Sequence, residues 1–228
     1  MNNTYFDQIY CICMPDRVRQ RNLFLEQIHQ LFPDVEPIIF PAISTRHLNN
    51  HHIGCALSHR AVIADAKINN YKNILVFEED AILHKSFDII LSNCVKELEN
   101  IKWDVLYLGA HVWENNFEKF QGCIFSEKVH SSTCMHGMAY NNSNGIFDYL
   151  LANIPSTIED MIPWCNKYAA IDQWFMYYIQ SPKYGKNDRL FNAIITSPRI
   201  CSQPCLIIGG NKPDKLTDFF NINIHNNT

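Results

Sequence analysis

The segment Ile74 to His84, ILVFEEDAILH, sets the tightest limit on what this chain can fold into. Four apolar residues run into Glu78, Glu79 and Asp80, and Ala81, Ile82 and Leu83 follow at once. A surface acidic run is ordinarily flanked by polar residues. Three adjacent carboxylates repel one another, and burial disfavours their charged forms further. The apolar run has the length of a buried strand, so the acids stand at a strand's carboxyl end. In a parallel sheet, ligands bind outside such ends. If strand geometry continues, Glu78 and Asp80 face one side and Glu79 the other. Two carboxylates on one side make a hard, oxygen-rich site suited to Mg²⁺ or Mn²⁺. An acidic, solvated turn is the alternative reading of the same residues.

The rest of the chain alternates between strand and helix patterns. QIYCICM is short and β-prone, and reads as a first buried strand. Leu23, Phe24, Ile28 and Leu31 have helical spacing, and Pro33 ends that helix. VEPIIFPAI is a proline-interrupted strand, as expected at a sheet edge. A helix is expected from about Gly54 to Asn69, with His51 and His52 in a loop before it. NILVF is the strand that meets the acids. SFDIILSNCVKELENI reads as a helix with Ile89, Ile90, Val95 and Leu98 on its inner side. WDVLYLGA and SSTCMHGMAYN read as strands. Helices are expected near Ser143 to Ala152 and Lys167 to Ile179, and NAIIT and CLIIG are late apolar pieces. This alternation predicts an α/β layered fold with a mostly parallel central sheet flanked by helices. Residues 1–210 read as one domain, and 211–228 as a polar, Asn-rich tail.

Composition removes several classes of function. With 47% hydrophobic and 18% charged residues, the 228-residue chain is globular. Its net charge of −4 comes without a basic block, which argues against nucleic-acid binding. No apolar run reaches the roughly 18 residues of a bilayer span, so membrane association is at most peripheral. MNNTYFDQ lacks the pattern of a signal peptide. Nine cysteines, an odd count with no CxxC, favour reduced thiols in a cytoplasmic setting, or a host cytoplasm for a viral protein. Cys11 and Cys13 read as buried strand thiols, and Cys201 with Cys205 as at most half of a zinc site.

The block GCALSHRAVIADAKINNYKNILVFEEDAIL, Gly54 to Leu83, resembles glycosyltransferase family 25. That family includes bacterial lipooligosaccharide galactosyltransferases and procollagen galactosyltransferases. Its pattern is a GCxLSH block, a helix, and a hydrophobic strand ending in Glu-Asp-Asp. Gly54, Cys55, Leu57, Ser58, His59, Glu78 and Asp80 match it, while Glu79 stands where the family has Asp. Arg17 and Arg21 match arginines of the family's opening loop, with Cys13 in place of a usual Asn. WDVLYLGA, CMHGMAYNNSNGIFDYLL, IDQW and SPRICSQP resemble later segments in the same order. The resemblance implies a GT-A-type nucleotide-sugar-binding fold, a UDP-hexose donor, Mn²⁺ or Mg²⁺, and a glycan or glycoconjugate acceptor.

Residue roles follow from what sugar transfer needs. Glu78 and Asp80 would hold the metal, with His136 as a third ligand and Glu79 beside them. Arg17 and Arg21 would bind phosphate. Ser58 and His59 would reach the donor. Asp172, an isolated acid in AAIDQWFMYY, is the candidate general base of an inverting reaction, or else a helix cap. Trp174, Trp113 and Tyr140 would stack on the sugar or fill the core. Gly137 would allow the donor's close approach. Two other classes stay open: a divalent-metal phosphoesterase, and a sugar- or nucleotide-binding module without turnover.

Overall fold

Strand residues of alternate parity serve two separate cores. In the computed structural model, which describes residues 5–112, 117–180, 191–204 and 219, Tyr10, Ile12, Ile74 and Val76 enter one apolar cluster. Ile9, Cys11, Leu75 and Phe77 enter the other. A period of two with both faces buried is the mark of a sheet covered on each side.

The elements in chain order are β1 (Gln8–Cys13), α1 (Val18–Leu31), β2 (Ile38–Pro41), α2 (His51–Ile68), β3 (Asn73–Glu78), β4 (Ile82–Leu83), α3 (Phe87–Leu98), β5 (Val105–Tyr107), β6 (His111–Val112), β7 (Phe117–Lys119), β8 (Ser126–Val129), β9 (Ser132–Thr133), β10 (Gly137–Asn141), α4 (Ile146–Asn153), α5 (Ile158–Tyr168), α6 (Ile171–Phe175), β11 (Ala193–Thr196) and β12 (Cys201–Ser202). A π-helical turn, Met176–Gln180, follows α6. The main sheet has the order β2-β1-β3-β10-β5-β11-β8-β7. Of these strands β10 and β8 run against the rest, so the sheet is mostly parallel in direction. Residues of α2, α4, α5 and α6 fill the first core, and residues of α1 and α3 the second. The expected α/β layering is therefore the observed architecture, with β2 at the predicted edge.

Several local expectations give way to tertiary packing. Helix α2 starts at His51 rather than near Gly54, because the Asn50 side chain accepts the His52 N–H and caps the helix earlier. His51 and His52 thus belong to a helix start rather than to a loop. On α3 the inner face is Phe87, Ile90, Leu91, Cys94 and Leu98, and Ile89 points outward with 60% exposure. SSTCMHGMAYN is two strands, β9 and β10, separated by Cys134 at φ 71°. The single helix expected at Lys167 to Ile179 is broken at Ala169, with φ 66°, into the end of α5 and the start of α6. No helix among the described residues is long and apolar enough to cross a membrane. Cys205, CLIIG and the proposed tail lie outside the described residues, apart from Phe219, which is buried and bridges to His84.

Candidate active site

β1 and β3 are parallel neighbours that end together, with Ile12 paired to Glu78. Beyond their carboxyl ends lies a cleft of about 260 Å³. Its walls include Arg17, Ile43, His51, Cys55, Glu78 and Glu79. Arg17 sits at the start of α1, His51 and Cys55 are on α2, and Ile43 comes from the loop after β2.

Two stripes of α2 build one wall. Residues four apart on a helix lie one above the other. Gly54 and Ser58 form one stripe and grip the loop after β2. The Gly54 N–H donates to Thr45 Oγ1 at 3.0 Å. Ser58 Oγ accepts the Ile43 N–H at 2.8 Å and donates to the Gly54 carbonyl at 2.6 Å. A Cβ on Gly54 would stand 2.3 Å from the Ile43 carbonyl oxygen, so glycine is what lets the loop approach. Ser58, though it borders the cleft, spends its hydroxyl on these backbone groups.

Cys55 and His59 form the adjacent stripe, and it meets the end of β3. His59 Nε2 hydrogen-bonds Glu78 Oε1 at 3.1 Å, and the Cys55 thiol donates to the same oxygen at 3.5 Å. Among the described residues, one group of three metal-ligating side chains comes together: Cys55, His59 and Glu78, with ligand atoms within 4.8 Å of one another. Asp80 and His136 are not in that group.

The three acids sit in three environments. Burial works to raise the pKa of Glu78. The hydrogen bond and charge of His59, the charge of His136 and the Cys55 thiol outweigh it and hold Glu78 below the ordinary carboxylate range. An ionised Glu78 needs His59 Nε2 to carry a proton, because the carboxylate only accepts. Glu79 continues the ladder for one residue, donating its N–H to Ile12 O at 3.0 Å. It faces Arg17, 3.7 Å from Nε. Burial nonetheless pushes its pKa up. Asp80 does not continue the strand. A turn closed by Ala81 N–H to Glu78 O takes it away, so the expected alternation of Glu78 and Asp80 on one side is overturned. The pair on the cleft wall is Glu78 with Glu79. Burial first, then the charges of Glu78 and Glu79, raise Asp80 to about 7. Burial and the fields of Glu78 and Asp172 push the Cys55 thiol far up.

The other sequence candidates lie apart from the cleft. Arg21 is on α1, near Cys13 rather than on the cleft wall. Asp172 is the second residue of α6, so it is not the cap. Its Oδ2 accepts the Cys134 N–H at 2.9 Å and its Oδ1 the Gln173 N–H at 2.7 Å. It does not line the cleft, although its field reaches His52 and Cys55. His136 is fully buried, with Nε2 3.3 Å from the Cys201 carbonyl. Gly137 is needed for Cys201, not for a ligand: a Cβ there would lie 2.6 Å from Cys201 Sγ. Trp174 and Tyr140 are buried core residues, Trp174 against Trp164 and Tyr178 and Tyr140 against Phe147 and Phe175. Trp113 lies outside the described residues. Cys55 and His51 are cleft residues that received no role from sequence. The four-residue interval between Cys55 and His59 carried the signal for the first of them.

The donor set bears directly on an implied hard cation. Glu78 and Glu79 present two carboxylates on one wall, the oxygen chemistry that Mn²⁺ or Mg²⁺ takes.

Comparison with known proteins follows the same strands. The family model described as "Glycosyltransferase family 25 (LPS biosynthesis protein)" matches residues 6–157, more than half of the chain. A bovine protein (Bos taurus) named "Probable inactive glycosyltransferase 25 family member 3" is 29% identical over 96 residues. Its human counterpart (Homo sapiens), "Inactive glycosyltransferase 25 family member 3", is 31% identical over 84 residues. These alignments cover 41% and 36% of this chain, but only 16% and 14% of those proteins. Among solved structures, a mannose-1-phosphate geranyltransferase from Thermus thermophilus aligns with TM-score 0.40 and 11% identity, over 83% of this chain and 73% of that one. A glycosyltransferase involved in glycosylation of the major capsid of PBCV-1 aligns with TM-score 0.39 and 11% identity, over 83% and 92%.

Proposed function

The chain belongs to glycosyltransferase family 25, and we propose that it transfers a hexose, galactose or glucose, from a UDP-sugar to a hydroxyl of a glycan or glycoconjugate. The observation that carries this reading is the cleft at the ends of β1 and β3, with Glu78, Glu79 and Arg17 on its walls. That is where an α/β sheet of this kind receives a ligand, and a GT-A-type nucleotide-sugar fold uses it for the donor.

Arg17 stands beside the N-terminus of α1, so its guanidinium and the helix dipole act together on an anion. It is half exposed and only loosely paired to Glu79. A phosphate would find it available for charge-assisted hydrogen bonds. Glu78 and Glu79 would hold Mn²⁺ or Mg²⁺, and the bound ion supplies charge neutralisation to the diphosphate leaving group. His59 hydrogen-bonds Glu78 and keeps it ionised. The apolar residues Ile12, Met14 and Ile43 line part of the cleft. For the acceptor, Asp172 is the proposed base of an inverting reaction: it stands off the donor cleft, its carboxylate oriented by the Cys134 and Gln173 N–H groups and its field reaching Cys55.

A second reading, donor binding without turnover, is favoured by the names of the two mammalian relatives. A thermal-shift panel of nucleotide sugars with and without Mn²⁺, followed by hydrolysis and transfer assays on whichever sugar stabilises, separates the two. Stabilisation by one UDP-sugar with turnover supports the transferase. Stabilisation without turnover supports the binding module. Absence of both overturns the sugar reading.

A further inference from the structure

We propose that Cys55, His59 and Glu78 form a binding site for a zinc-class divalent ion. The three side chains come from two elements that meet at the cleft. Cys55 and His59 are four residues apart on α2 and share a face. Glu78 arrives from the end of β3.

The two ligand edges that meet at Glu78 have the lengths of a coordination polyhedron. Cys55 Sγ lies 3.5 Å from Glu78 Oε1, and His59 Nε2 lies 3.1 Å from the same oxygen. All three ligand atoms lie within 4.8 Å of one another. Zinc binds sulfur at about 2.3 Å and nitrogen or oxygen at about 2.0–2.2 Å. At tetrahedral angles those bonds give a sulfur–oxygen edge of about 3.5 Å and a nitrogen–oxygen edge of about 3.3 Å. The two edges to Glu78 need change only by tenths of an ångström, and Cys55 Sγ and His59 Nε2, within 4.8 Å of each other, close to the edge of about 3.6 Å that those bond lengths require. A thiolate and an imidazole are borderline donors, which favour Zn²⁺ or Co²⁺ over Mg²⁺ or Mn²⁺.

The protons balance simply. Ligation needs the Cys55 thiolate, so one proton leaves to solvent as the ion binds. His59 Nε2 must offer its lone pair, so the proton it shares with Glu78 also leaves to solvent and Nδ1 keeps the remaining one. All three residues border the cleft, which leaves the fourth coordination position facing it, open to water or to an oxygen of a ligand. The site stands on these side chains and not on the sugar-transfer reading, with which it shares Glu78 as a ligand.

The test uses the full chain, stripped of metal, and needs no nucleotide. Zinc is titrated against a chromophoric chelator, Co²⁺ is added to a parallel sample, and thiol alkylation is mapped by mass spectrometry with and without zinc. The expected result is one zinc per chain, a thiolate-to-cobalt charge-transfer band, and protection of Cys55 from alkylation. Cys55→Ser should abolish the band, and His59→Gln should weaken zinc by more than about 100-fold, beyond the loss of an outer-shell partner. Glu79→Gln removes a carboxylate from the hard-ion pair and should leave zinc binding unchanged. Protection of Cys55 in the wild-type chain keeps the test decisive if a variant fails to fold. No one-to-one binding, a band that survives Cys55→Ser, or zinc that leaves Cys55 as reactive as before would overturn the proposal.

Discussion

Two parallel strands, β3 and β5, end at the same edge of the sheet, and their ends are opposites. β3 closes on Glu78, Glu79 and the turn at Asp80, and Glu78 and Glu79 border an open cleft. β5 runs into Leu108, Gly109 and Ala110, all on ground that the returning chain fills. The Leu108 carbonyl accepts from the Ile200 N–H at 2.7 Å, the Cys201 N–H at 3.0 Å and Thr196 Oγ1 at 3.1 Å. A Cβ on Gly109 would lie 1.7 Å from the Cys201 carbonyl oxygen. Both ends occupy the position where α/β sheets bind ligands. Topology offers that position, and the covering chain decides whether it is used. The cost at each end differs accordingly: crowded like charge at β3, tight backbone packing at β5.

Breaking the open end should remove function and spare the fold. Glu78→Gln is expected to lower metal-dependent turnover of the UDP-sugar by roughly 10²–10³-fold, the size seen when one electrostatic stabiliser is lost. Steady-state kinetics alongside circular dichroism check it, and turnover within about threefold of wild type would mean that Glu78 is not at the chemistry. The plugged end should show the reverse. Gly109→Ala forces the Cys201 backbone away and is expected to cost about 2–4 kcal/mol, or roughly 5–15 °C in Tm. Calorimetry measures that loss. Donor affinity per folded molecule should stay within about twofold, or about 0.4 kcal/mol.

A third substitution probes the charge stored at the open end. The folded pKa of Asp80 is raised to about 7, against about 3.9 for an unfolded aspartate. A raised acid destabilises the native state once the unfolded chain ionises. The penalty therefore grows from about pH 4 and is complete above about pH 7. Asp80→Asn in metal-free buffer should raise Tm by about 8 °C at pH 8 and leave it nearly unchanged at pH 4. Equal effects at both pH values would show that charge is not the cause. The smallest effect is expected at Arg17. Its contact with Glu79 is long and half exposed, so Arg17→Ala should shift Tm by less than about 2 °C. Donor affinity should fall about tenfold through the lost phosphate contact, as isothermal titration would report.

The contrast between the two ends also marks which residues were legible in the linear sequence. The NILVF run and the acids after it named β3 and its end, because a buried strand must be apolar on both faces. Apolar spacing named a helix from about Gly54, and on that helix the four-residue intervals of GCALSH put Gly54 with Ser58 and Cys55 with His59. The pairing of those stripes with the loop after β2 and with Glu78 was not legible, since it depends on how α2 lies across the sheet. His136, Gly137, Trp174 and Tyr140 carried suggestive chemistry, but packing against Cys201 and the aromatic core claimed them.

Apolar periodicity and charge placement are local properties, so the layered α/β architecture and the strand whose acids face a ligand cleft could be read from the chain directly. Which of the acids reach that cleft was settled by folding. Asp80 is turned away because Ile82 and Leu83 pair with Ser202 and Cys201, far along the chain. Glu78 is held by Cys55 and His59 because α2 lies against the end of β3. Contacts between residues far apart in the chain have no local signature, and here they set both the ionisation and the partners of the acidic run.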